Sequence, residues 1–437
     1  MIDTPRRFRG SDVPPASIYD QCVRCGLCLP TCPTYLETMT ETSGPRGRIS
    51  LIKAVGEGEL DLAAPGFVHQ MSECLDCRAC EAVCPSGVRY GRLVENARAQ
   101  IQRDRAPTDS PSTRAVRWFA LRVLFSDLRW MRFAASLLRA YQRSGLRAIA
   151  RKSGLLRLLR LDHTEAMAPE VSATFFSARG QRFAAETSKN VTIFFHAGCV
   201  MQVAFAAVHE ASVRVLTRAG CDVIVPEAQG CCGAIALHAG EPDLSRTLAR
   251  RNIAAFERSD ARYYIVNAAG CGSALKEYPE LFEGDNDWHG RAVAFSDCVK
   301  DITEFLDAIG IDERLGRIDA TVTYQEPCHL VHAQRISAAP RRLLRKIPGL
   351  HLREMAESSV CCGSAGVYNL TQPAMSSRLQ ERKIRNALDA CADIVVTANP
   401  GCAMQVTSGL RAAGSTLPVK HIVELLDDSY RAYAGEG

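Results

Sequence analysis

Two segments near the N-terminus repeat one unusual spacing of cysteines. Each has the form C-x2-C-x2-C-x3-C and is followed directly by a proline. This spacing is typical of [4Fe–4S] ligation, in which three closely spaced thiolates hold one cluster and the fourth serves its neighbour. Structural zinc is the alternative, but zinc sites usually draw on two separated pairs of ligands. The two predicted cluster ligand sets are Cys22, Cys25, Cys28 and Cys84, and Cys74, Cys77, Cys80 and Cys32.

A third group of cysteines forms an internal repeat in the C-terminal half. A cysteine, a Cys-Cys-Gly triplet and another cysteine occur twice, at offsets of 129, 130 and 131 residues. Landmarks that recur at one offset indicate two copies of one module. The glycine permits a positive φ, so both thiols of the pair can face one site. The expected ligand sets are Cys199, Cys231, Cys232 and Cys271 in the first copy, and Cys328, Cys361, Cys362 and Cys402 in the second.

The identity of the metal in these two modules stays open at this point. Four thiolates suit a [4Fe–4S] cluster and zinc equally well, and redox-inert buried thiols are a third alternative. Three cysteines without a counterpart in the repeat are expected to be ordinary buried residues: Cys221, Cys298 and Cys391. Four histidines near the repeated loops are expected to make structural hydrogen bonds: His196, His329, His332 and His421.

Short apolar runs alternate with helical segments in both copies. The β-type runs cover 191–195, 222–225, 262–266, 321–324 and 393–397, and helical segments include 204–218 and 244–258. This alternation predicts a parallel sheet covered by helices. Loops that follow the C-terminal ends of such strands meet at one edge of the sheet. The repeated cysteines lie in those loops, so we expect each set to converge on one point.

These patterns divide the 437 residues into four parts. The predicted fold class is multi-domain α+β, with a mostly helical, double-cluster ferredoxin-like domain followed by two α/β parallel-sheet modules related by duplication. The predicted boundaries are 1–105 for the ferredoxin-type domain, 106–188 for a basic, mostly helical connector, 189–310 for module 1 and 311–437 for module 2.

One segment between the two cysteine runs carries arginines. The sequence Gly44-Pro-Arg-Gly-Arg48 predicts a turn that leads into a helix from Ile49. Arg46 and Arg48 are expected either to be solvated in this turn or to tune a nearby anionic cluster.

The composition indicates a protein of a reducing compartment that holds thiolates for metal. The 19 cysteines, an odd number, come without a signal peptide and do not fit a disulfide framework, so we expect a cytoplasmic location. The chain contains no G-x-G-x-x-G after a strand and no P-loop, and we therefore expect neither FAD nor NAD on it. Iron–sulfur clusters of this type pass single electrons, which favours a subunit that connects a dehydrogenase to an acceptor.

The positive charge is concentrated in the connector. Residues 114–160 contain twelve Arg or Lys and one acid, Asp127, which gives +11 against +5 for the whole chain. Arginines alternate there with Trp, Phe and Leu, a pattern typical of an amphipathic helix on anionic lipid and equally of a helix packed on a partner subunit. We expect no nucleic acid partner. Peripheral contact with the inner face of the cytoplasmic membrane is the first hypothesis.

The order of the motifs resembles that of a known family. The double ferredoxin head followed by two Cys-Cys-Gly modules is similar to iron–sulfur subunits of membrane-linked 2-hydroxyacid dehydrogenases, above all glycolate oxidase iron–sulfur subunits. It also resembles the iron–sulfur subunits of anaerobic glycerol-3-phosphate dehydrogenases and, more distantly, the Cys-Cys-Gly subunits of heterodisulfide reductases. The segments that carry the resemblance are Cys25-Gly-Leu-Cys28, Gly44-Pro-Arg-Gly-Arg-Ile49, Cys84-Pro-Ser-Gly-Val-Arg-Tyr90, Gly230-Cys-Cys-Gly-Ala234 and Cys361-Cys-Gly-Ser-Ala-Gly366.

The resemblance implies a complex with an FAD-containing dehydrogenase subunit and a second flavin-type subunit. One of these oxidises glycolate to glyoxylate, and the present chain relays the electrons to a quinone or another acceptor. Lactate or anaerobic glycerol-3-phosphate systems are the runner-up, and a zinc-holding interaction scaffold is the alternative from another class. Each module lacks the C-x-x-C ending of the heterodisulfide-reductase type, since Ala274 and Gln405 stand three residues after the last cysteines.

Overall fold

The computed structural model describes residues 5–158, 161–187 and 191–435. Its N-terminal part, called the head below (residues 5–105), is a small helical domain. The helices of the head are α1 Ala16–Tyr19, α2 Pro33–Thr38, α3 Pro45–Glu57, α4 Pro65–Glu73, α5 Ala79–Ala82 and α6 Tyr90–Arg105. Helices α3, α4 and α6 bury Ile52, Met71 and Leu93 in one apolar cluster.

Prolines determine where three of these helices begin. Pro33, Pro45 and Pro65 each occupy the first helical position, where the missing N–H costs no hydrogen bond. The prediction of a turn over residues 44–48 was therefore wrong. Helix α3 already starts at Pro45, and Ile49 lies in its second turn.

The connector is predominantly helical. Its helices are α7 Pro111–Trp118, α8 Leu128–Arg143, α9 Leu146–Lys152, α10 Leu155–Leu158 and α11 Asp162–Met167, with a π-helical segment at Phe119–Leu124. One face of α8 packs through Met131 and Ala135 onto Val171 and Val203. Within the part of the chain that the structure describes, no helix is both long and apolar enough to cross a membrane.

Module 1 is built on a five-stranded sheet of described residues. The strands are β1 Gln181–Phe183, β2 Val191–Phe195, β3 Cys221–Val225, β4 Tyr263–Val266 and β5 Val299–Asp301, in the order β1-β3-β2-β4-β5. Only β1 runs antiparallel among these strands. The helices are α12 Val200–Ala204, α13 Ala206–Arg218, α14 Ala234–His238, α15 Pro242–Glu257, α16 Ala269–Lys276, α17 Tyr278–Leu281, α18 His289–Cys298 and α19 Ile302–Ile309.

Module 2 repeats this plan with four described strands, all parallel. They are β6 Ala320–Tyr324, β7 Leu350–Glu354, β8 Ile394–Thr397 and β9 Val419–His421, in the order β7-β6-β8-β9. The helices are α20 Ala338–Lys346, α21 Tyr368–Thr371, α22 Pro373–Asp389, α23 Pro400–Ala412 and α24 Ile422–Ala434, with a π-helical segment at His329–Ala333. The predicted pair of parallel-sheet modules behind a helical head is confirmed. Strands β1, β5, β7 and β9 were not predicted.

The two modules exchange their last helices. Helix α19, at the end of module 1, packs on α20 of module 2, and α24 packs back on α13 of module 1. Arg214 on α13 forms an ion pair with Asp427 on α24, with N···O distances of 2.9 and 2.8 Å. His421 donates a hydrogen bond from Nε2 to the carbonyl oxygen of Asn267 at 3.0 Å. The modules therefore form one interlocked body.

Candidate iron–sulfur sites

The eight cysteines of the head line two neighbouring cavities. One cavity is bordered by Cys22, Cys25, Cys28 and Cys84, and the other is bordered by Cys32, Cys74, Cys77 and Cys80. The fourth cysteine of each run thus lies with the three cysteines of the other run. Cys80 borders both cavities, so they share a wall. Four thiols at each cavity are the donor set that a [4Fe–4S] cluster requires.

The backbone turns at the same two positions in both cysteine loops. In the first loop Arg24 and Gly26 have positive φ angles of 56° and 85°, and in the second loop Asp76 and Arg78 have φ angles of 51° and 63°. The left-handed region costs a residue with a Cβ roughly 1–2 kcal/mol. At the second of these positions the first loop has a glycine, which adopts this conformation at little cost, whereas the second loop has Arg78. Contacts of the Arg78 side chain must therefore offset the backbone strain.

Arg78 is buried between the head and module 1. Its guanidinium binds Glu81 Oε1 at 2.9 Å and Glu277 Oε1 at 2.6 Å. The side chain crosses directly over Gly91, where any Cβ would collide with the guanidinium group. Burial alone would lower the pKa of Arg78, but Glu277 and Glu81 raise it well above its usual value. Arg78 therefore joins the second cysteine loop to module 1.

Arg48 is buried beside the second cavity. It is 1% exposed, and its Nη2 lies 3.1 Å from Glu73 Oε2. Burial would lower the pKa of Arg48, but the thiolate charges of Cys74 and Cys32 help to raise it above its usual value. Of the two alternatives for this arginine, solvation is therefore wrong. Arg48 is a fixed positive charge beside the thiolates.

Arg46 lies at the rim of the first cavity and is partly exposed. Its Nε forms an ion pair with Glu41, and its Nη1 donates to the carbonyl oxygen of Arg24 at 3.0 Å. Burial raises the pKa of the Cys28 thiol to about 11. Metal binding must therefore compensate for this burial before Cys28 is a thiolate at neutral pH.

Hydrogen-bond donors point at the sulfur atoms of the head. The N–H of Asp76 donates to Cys74 Sγ at 3.4 Å, and the hydroxyl of Tyr90 donates to the same sulfur at 3.6 Å. The N–H of Val88 donates to Cys84 Sγ at 3.5 Å. Donors to sulfur stabilise negative charge, and they are one means by which a protein tunes cluster potential.

The four thiols of module 1 meet at the C-terminal ends of β2, β3 and β4. Hydrogen bonds from Cys199 and Cys232 hold the pKa of Cys231 well below its usual value. A hydrogen bond from Cys232, assisted by His196, lowers the pKa of Cys271 to about 6 despite its burial. The same contacts and burial raise the pKa values of Cys199 and Cys232 well above their usual range, so a metal must displace protons from these two thiols.

The four thiols of module 2 converge at the matching edge. Cys328 Sγ lies 4.0 Å from Cys361 Sγ, and hydrogen bonds from Cys361 and Cys402 hold the pKa of Cys362 well below its usual value. Lys383 is buried next to them, with Nζ donating to the carbonyl oxygens of Glu357 and Ser358. Burial lowers the pKa of Lys383, while the nearby thiolates of Cys362 and Cys361 oppose this shift.

The glycine of each Cys-Cys-Gly triplet has the expected conformation. Gly233 and Gly363 have φ angles of 86° and 87°. A Cβ at Gly363 would lie 2.7 Å from the carbonyl oxygen of Ser376, so the helix behind the loop approaches too closely for a side chain. Both constraints favour glycine and fix the direction of the two preceding thiols.

The remaining cysteine and histidine predictions have mixed outcomes. Cys221 is buried and Cys298 is half-buried, but Cys391 is exposed, so the prediction of a buried thiol was wrong there. Cys391 lies in the turn after α22 with a positive φ of 45°, outside the core. Structural hydrogen bonds are confirmed for the four histidines. His196 contacts the Tyr264 hydroxyl, and His329 contacts the carbonyl oxygen of Asp76. His332 and His421 contact the carbonyl oxygens of Ser359 and Asn267, respectively.

The second cavity of the head faces the thiols of module 2. Leu75 and Cys77 pack in one apolar cluster with Cys361 and Tyr368. The hydroxyl of Tyr368 donates to the carbonyl oxygen of Glu73 at 2.8 Å. The thiols of module 2 therefore lie next to the second cavity.

The thiol sites of the two modules also lie close to each other. The N–H of Gly270 donates to Asn399 Oδ1 at 3.1 Å, and Asn399 Nδ2 donates to Cys402 Sγ at 3.4 Å. Gly270 directly precedes Cys271, so the last cysteine loops of the two modules are in contact. The thiol sites of the two modules are therefore neighbours.

Comparison with known proteins assigns the chain to a family. The cysteine-rich domain model matches residues 193–276 and 322–407, the 4Fe–4S dicluster domain matches 18–88, and the linker region of glycolate oxidase iron–sulfur subunits matches 112–169. A probable glycolate oxidase iron–sulfur subunit from Bacillus subtilis (strain 168) is 40% identical over 413 residues, which cover 93% of this chain and 92% of that protein. The chain belongs to the glycolate oxidase iron–sulfur subunit family.

Two further relatives show the range of the family. The glycolate oxidase iron–sulfur subunit of Escherichia coli (strain K12) is 30% identical over 417 residues, which cover 94% of each chain. Lactate utilization protein A of Geobacillus sp. (strain WCH70) is 30% identical over 232 residues, which cover 53% of this chain and 97% of that protein. As a member of this family, the chain carries iron–sulfur clusters and works as one subunit of an oxidoreductase complex.

Sequence reasoning missed two basic residues around the sites, Arg78 and Lys383, and left the burial of Arg48 open. Arg78 stands where the first cysteine run has Gly26, and aligning the two runs would have singled it out. Arg48 was considered, but nothing in the sequence showed its burial. Lys383 lies 21 residues beyond the nearest cysteine pair, on α22, and no local pattern marks it.

Proposed function

We propose that this chain is the electron-transfer subunit of a glycolate-oxidising complex. An FAD-containing subunit oxidises glycolate to glyoxylate, a second flavin-type subunit is the other partner, and this chain passes the electrons to a quinone or a similar acceptor. The observation that carries the proposal is the pair of four-thiol cavities that share Cys80 as a common wall. A [4Fe–4S] cluster, when bound, passes one electron at a time, which suits the step between a two-electron flavin and an acceptor.

The assignment of ligands is part of this proposal. The head ligands are Cys22, Cys25, Cys28 and Cys84 for one cluster, and Cys32, Cys74, Cys77 and Cys80 for the other. We further propose that the thiols of module 2 hold a third cluster, because they pack against the second cavity and have the buried cation Lys383 beside them. The thiols of module 1 bind metal as well, with zinc and a cluster as the two alternatives.

Metal analysis of anaerobically purified protein tests this assignment. We expect about twelve iron and twelve acid-labile sulfide per chain, eight from the head and four from module 2. About sixteen would add a cluster in module 1, and about eight would restrict the clusters to the head. Stoichiometric zinc with almost no iron would overturn the electron-transfer proposal and support a zinc-holding scaffold.

The substrate is tested on the assembled complex. Glycolate added to the complex under anaerobic conditions should reduce the clusters, seen as loss of visible absorption and as a new signal in electron paramagnetic resonance. The isolated chain should show no such change, because it lacks a flavin. Cluster reduction by glycolate in the isolated chain would contradict the assignment of the substrate site to a partner.

Lactate is the second candidate substrate. It is favoured by the 30% identity to lactate utilization protein A, although that similarity covers only 53% of this chain. The same anaerobic experiment separates the candidates, since a lactate-oxidising complex reduces its clusters faster with lactate than with glycolate.

The connector carries an exposed apolar face that suits a membrane surface. Trp130, Phe133 and Leu137 lie at i, i+3 and i+7 on α8 and are 48%, 56% and 58% exposed, on the side opposite to the buried Met131. Trp118 on α7 is 57% exposed. Exposed aromatic and aliphatic side chains among arginines are typical of helices that lie on anionic lipid. We propose that this face contacts the inner surface of the cytoplasmic membrane.

Vesicle sedimentation distinguishes the membrane from a protein partner. The assembled complex should sediment with vesicles that contain phosphatidylglycerol and not with pure phosphatidylcholine. The double variant Trp130→Ser, Phe133→Ser should lose this binding and keep its subunits. Loss of the partner subunits without any change in vesicle binding would identify the face as a subunit interface instead.

A further inference from the structure

Three ionisable side chains meet between the head and module 1, outside the thiol sites. Asp76 lies in the loop between Cys74 and Cys77, Glu95 lies on α6, and His238 is the last residue of α14. One oxygen or nitrogen atom of each lies within 4.8 Å of the others. Asp76 and Glu95 are 2% and 7% exposed, so the three groups are largely removed from water.

The two separations from the imidazole of His238 match the edges of a metal coordination shell. His238 Nδ1 lies 3.1 Å from Asp76 Oδ2 and 3.2 Å from Glu95 Oε1. Two ligands that are each about 2.1 Å from one ion lie roughly 3.0–3.5 Å apart. A single imidazole N–H cannot point at both oxygens. Among the described residues, neither carboxylate oxygen of Asp76 nor Nδ1 of His238 has a partner with hydrogen-bond geometry.

With His238 counted as neutral, the surrounding charges leave an excess of two negative charges. Arg78 approaches Asp76 through Nε at 3.8 Å, but its other nitrogens bind Glu81 and Glu277. Arg98 donates to main-chain carbonyl oxygens of the head and of module 1. Together with Glu95, four carboxylates therefore face two guanidinium groups. Buried charge of this size requires compensation, and one divalent cation supplies it.

The strained backbone of the loop fits the same interpretation. Asp76 has a positive φ of 51°, and its carboxylate lies beside His238 of α14. Gly240, two residues after the end of α14, packs so tightly on α6 that a Cβ would lie 2.7 Å from the carbonyl oxygen of Arg98. The three side chains are thus held together by close contact between the head and module 1.

We propose that Asp76, Glu95 and His238 bind one divalent first-row metal ion, with zinc as the probe that tests it and water completing the shell. Carboxylate and imidazole ligands are both typical of zinc. The site is separate from the clusters because it contains no cysteine. Since its ligands come from the head and from module 1, the ion fastens the two together beside the second cavity. The alternative to metal binding is that His238 and Glu95 are both protonated, which would neutralise the same two negative charges.

Metal content of the holoprotein tests the site. Zinc, manganese and iron are measured per chain in anaerobically purified protein that has been incubated with zinc and freed of excess metal. Wild type should hold one more equivalent of zinc than either Glu95→Gln or His238→Gln. Iron should be equal in all three, which shows that the head is folded and loaded.

Two matched variants control for unspecific effects. Glu257→Gln removes an exposed carboxylate of module 1 far from the three ligands, and His289→Gln removes an exposed histidine of module 1. Both should keep the wild-type zinc content. Equal zinc in wild type and in the two site variants, at equal iron, overturns the proposal and assigns the compensating charge to protons. A wild-type chain that retains neither zinc nor manganese overturns it as well, even if both variants fail to fold.

Discussion

Modules 1 and 2 hold the same four thiols in different surroundings. In module 1, His196 lies beside Cys271 and hydrogen-bonds the hydroxyl of Tyr264 at 2.7 Å. In module 2, Gln325 takes the place 129 residues after His196 and binds Thr397, while the buried Lys383 supplies the positive charge. Duplication has therefore preserved the ligands and the strand ends that hold them, and the charges around them have diverged.

The position of each module relative to the head explains this difference. The thiols of module 2 pack against the second head cavity, whereas those of module 1 lie next to the last cysteine loop of module 2. A buried lysine beside module 2 offsets thiolate charge at a site that also faces the second head cavity. The comparison therefore predicts that module 2 matters more for electron transfer than module 1.

The largest expected effect comes from removing one thiol of each module. Cys362→Ala should lower the iron content by about four per chain and leave the iron of the head unchanged. It should also slow cluster-dependent reduction of the acceptor at least about 10-fold, because module 2 follows the head. The matched variant Cys232→Ala should lose only the metal of module 1. Equal slowing in both variants would remove the functional distinction between the modules.

The helix caps of the two modules should respond to acid in opposite ways. Asp301 and His421 occupy equivalent N-cap positions of α19 and α24, and burial raises the pKa of Asp301 to about 6 and lowers the pKa of His421 to about 4. The contribution of His421 to stability is complete above about pH 6.5 and is lost as the pH falls towards 4. The contribution of Asp301 is complete below about pH 4 and is lost as the pH rises through 6. Each of these two pKa shifts changes the free energy of unfolding by about 3 kcal/mol when the group titrates completely.

Thermal midpoints between pH 7.5 and 5 check this prediction. His421→Asn should make the midpoint fall less on acidification than in wild type, and Asp301→Asn should make it fall more. Asparagine retains the capping hydrogen bond in both variants. Parallel curves for wild type and both variants would show that neither cap titrates in this range.

The buried lysine should affect metal retention in module 2 alone. Lys383→Gln removes the positive charge beside Cys362 and should weaken metal binding in module 2 by about 10- to 100-fold. The variant Arg385→Gln changes an exposed residue on the same helix and should have no effect. Release of metal to a chelator under anaerobic conditions measures both. Slower release from Lys383→Gln than from wild type would contradict the role given to the lysine.

The smallest effect concerns the contact between the head and module 2. Tyr368→Phe removes the hydrogen bond to the carbonyl oxygen of Glu73 and should lower the free energy of unfolding by about 1 kcal/mol. Tyr433→Phe, at an exposed tyrosine of α24, should leave the denaturation midpoint unchanged. An unchanged midpoint in Tyr368→Phe would mean that the apolar cluster alone holds this interface.

The parts predicted from the sequence are those encoded by short spacings. The spacing within the cysteine runs and the Cys-Cys-Gly repeat itself determines how the thiols are arranged. The buried strands β2, β4 and β8 are recognisable as continuous apolar runs. Strand β7 was missed because it is an edge strand whose side chains at His351, Arg353 and Glu354 are exposed, so no apolar run marks it. The short strands β5 and β9 have only three residues each.

The groups around the sites could not be predicted because they come from distant parts of the chain. Arg48 is buried by Glu73, which lies 25 residues away. Asp76, Glu95 and His238 come from the head and from module 1 and meet only when these pack together. A charged residue in a single sequence is most often solvated. Burial and partners that reverse this expectation are properties of the folded chain.

The exchange of last helices between the modules also bears on how the protein is made. Helix α13 is synthesised roughly 200 residues before α24, yet it buries its outer face only when α24 packs on it. Until then module 1 exposes apolar surface, and Asn267 lacks the donor that His421 provides. A ribosome-bound chain therefore cannot complete module 1 while module 2 is still being translated.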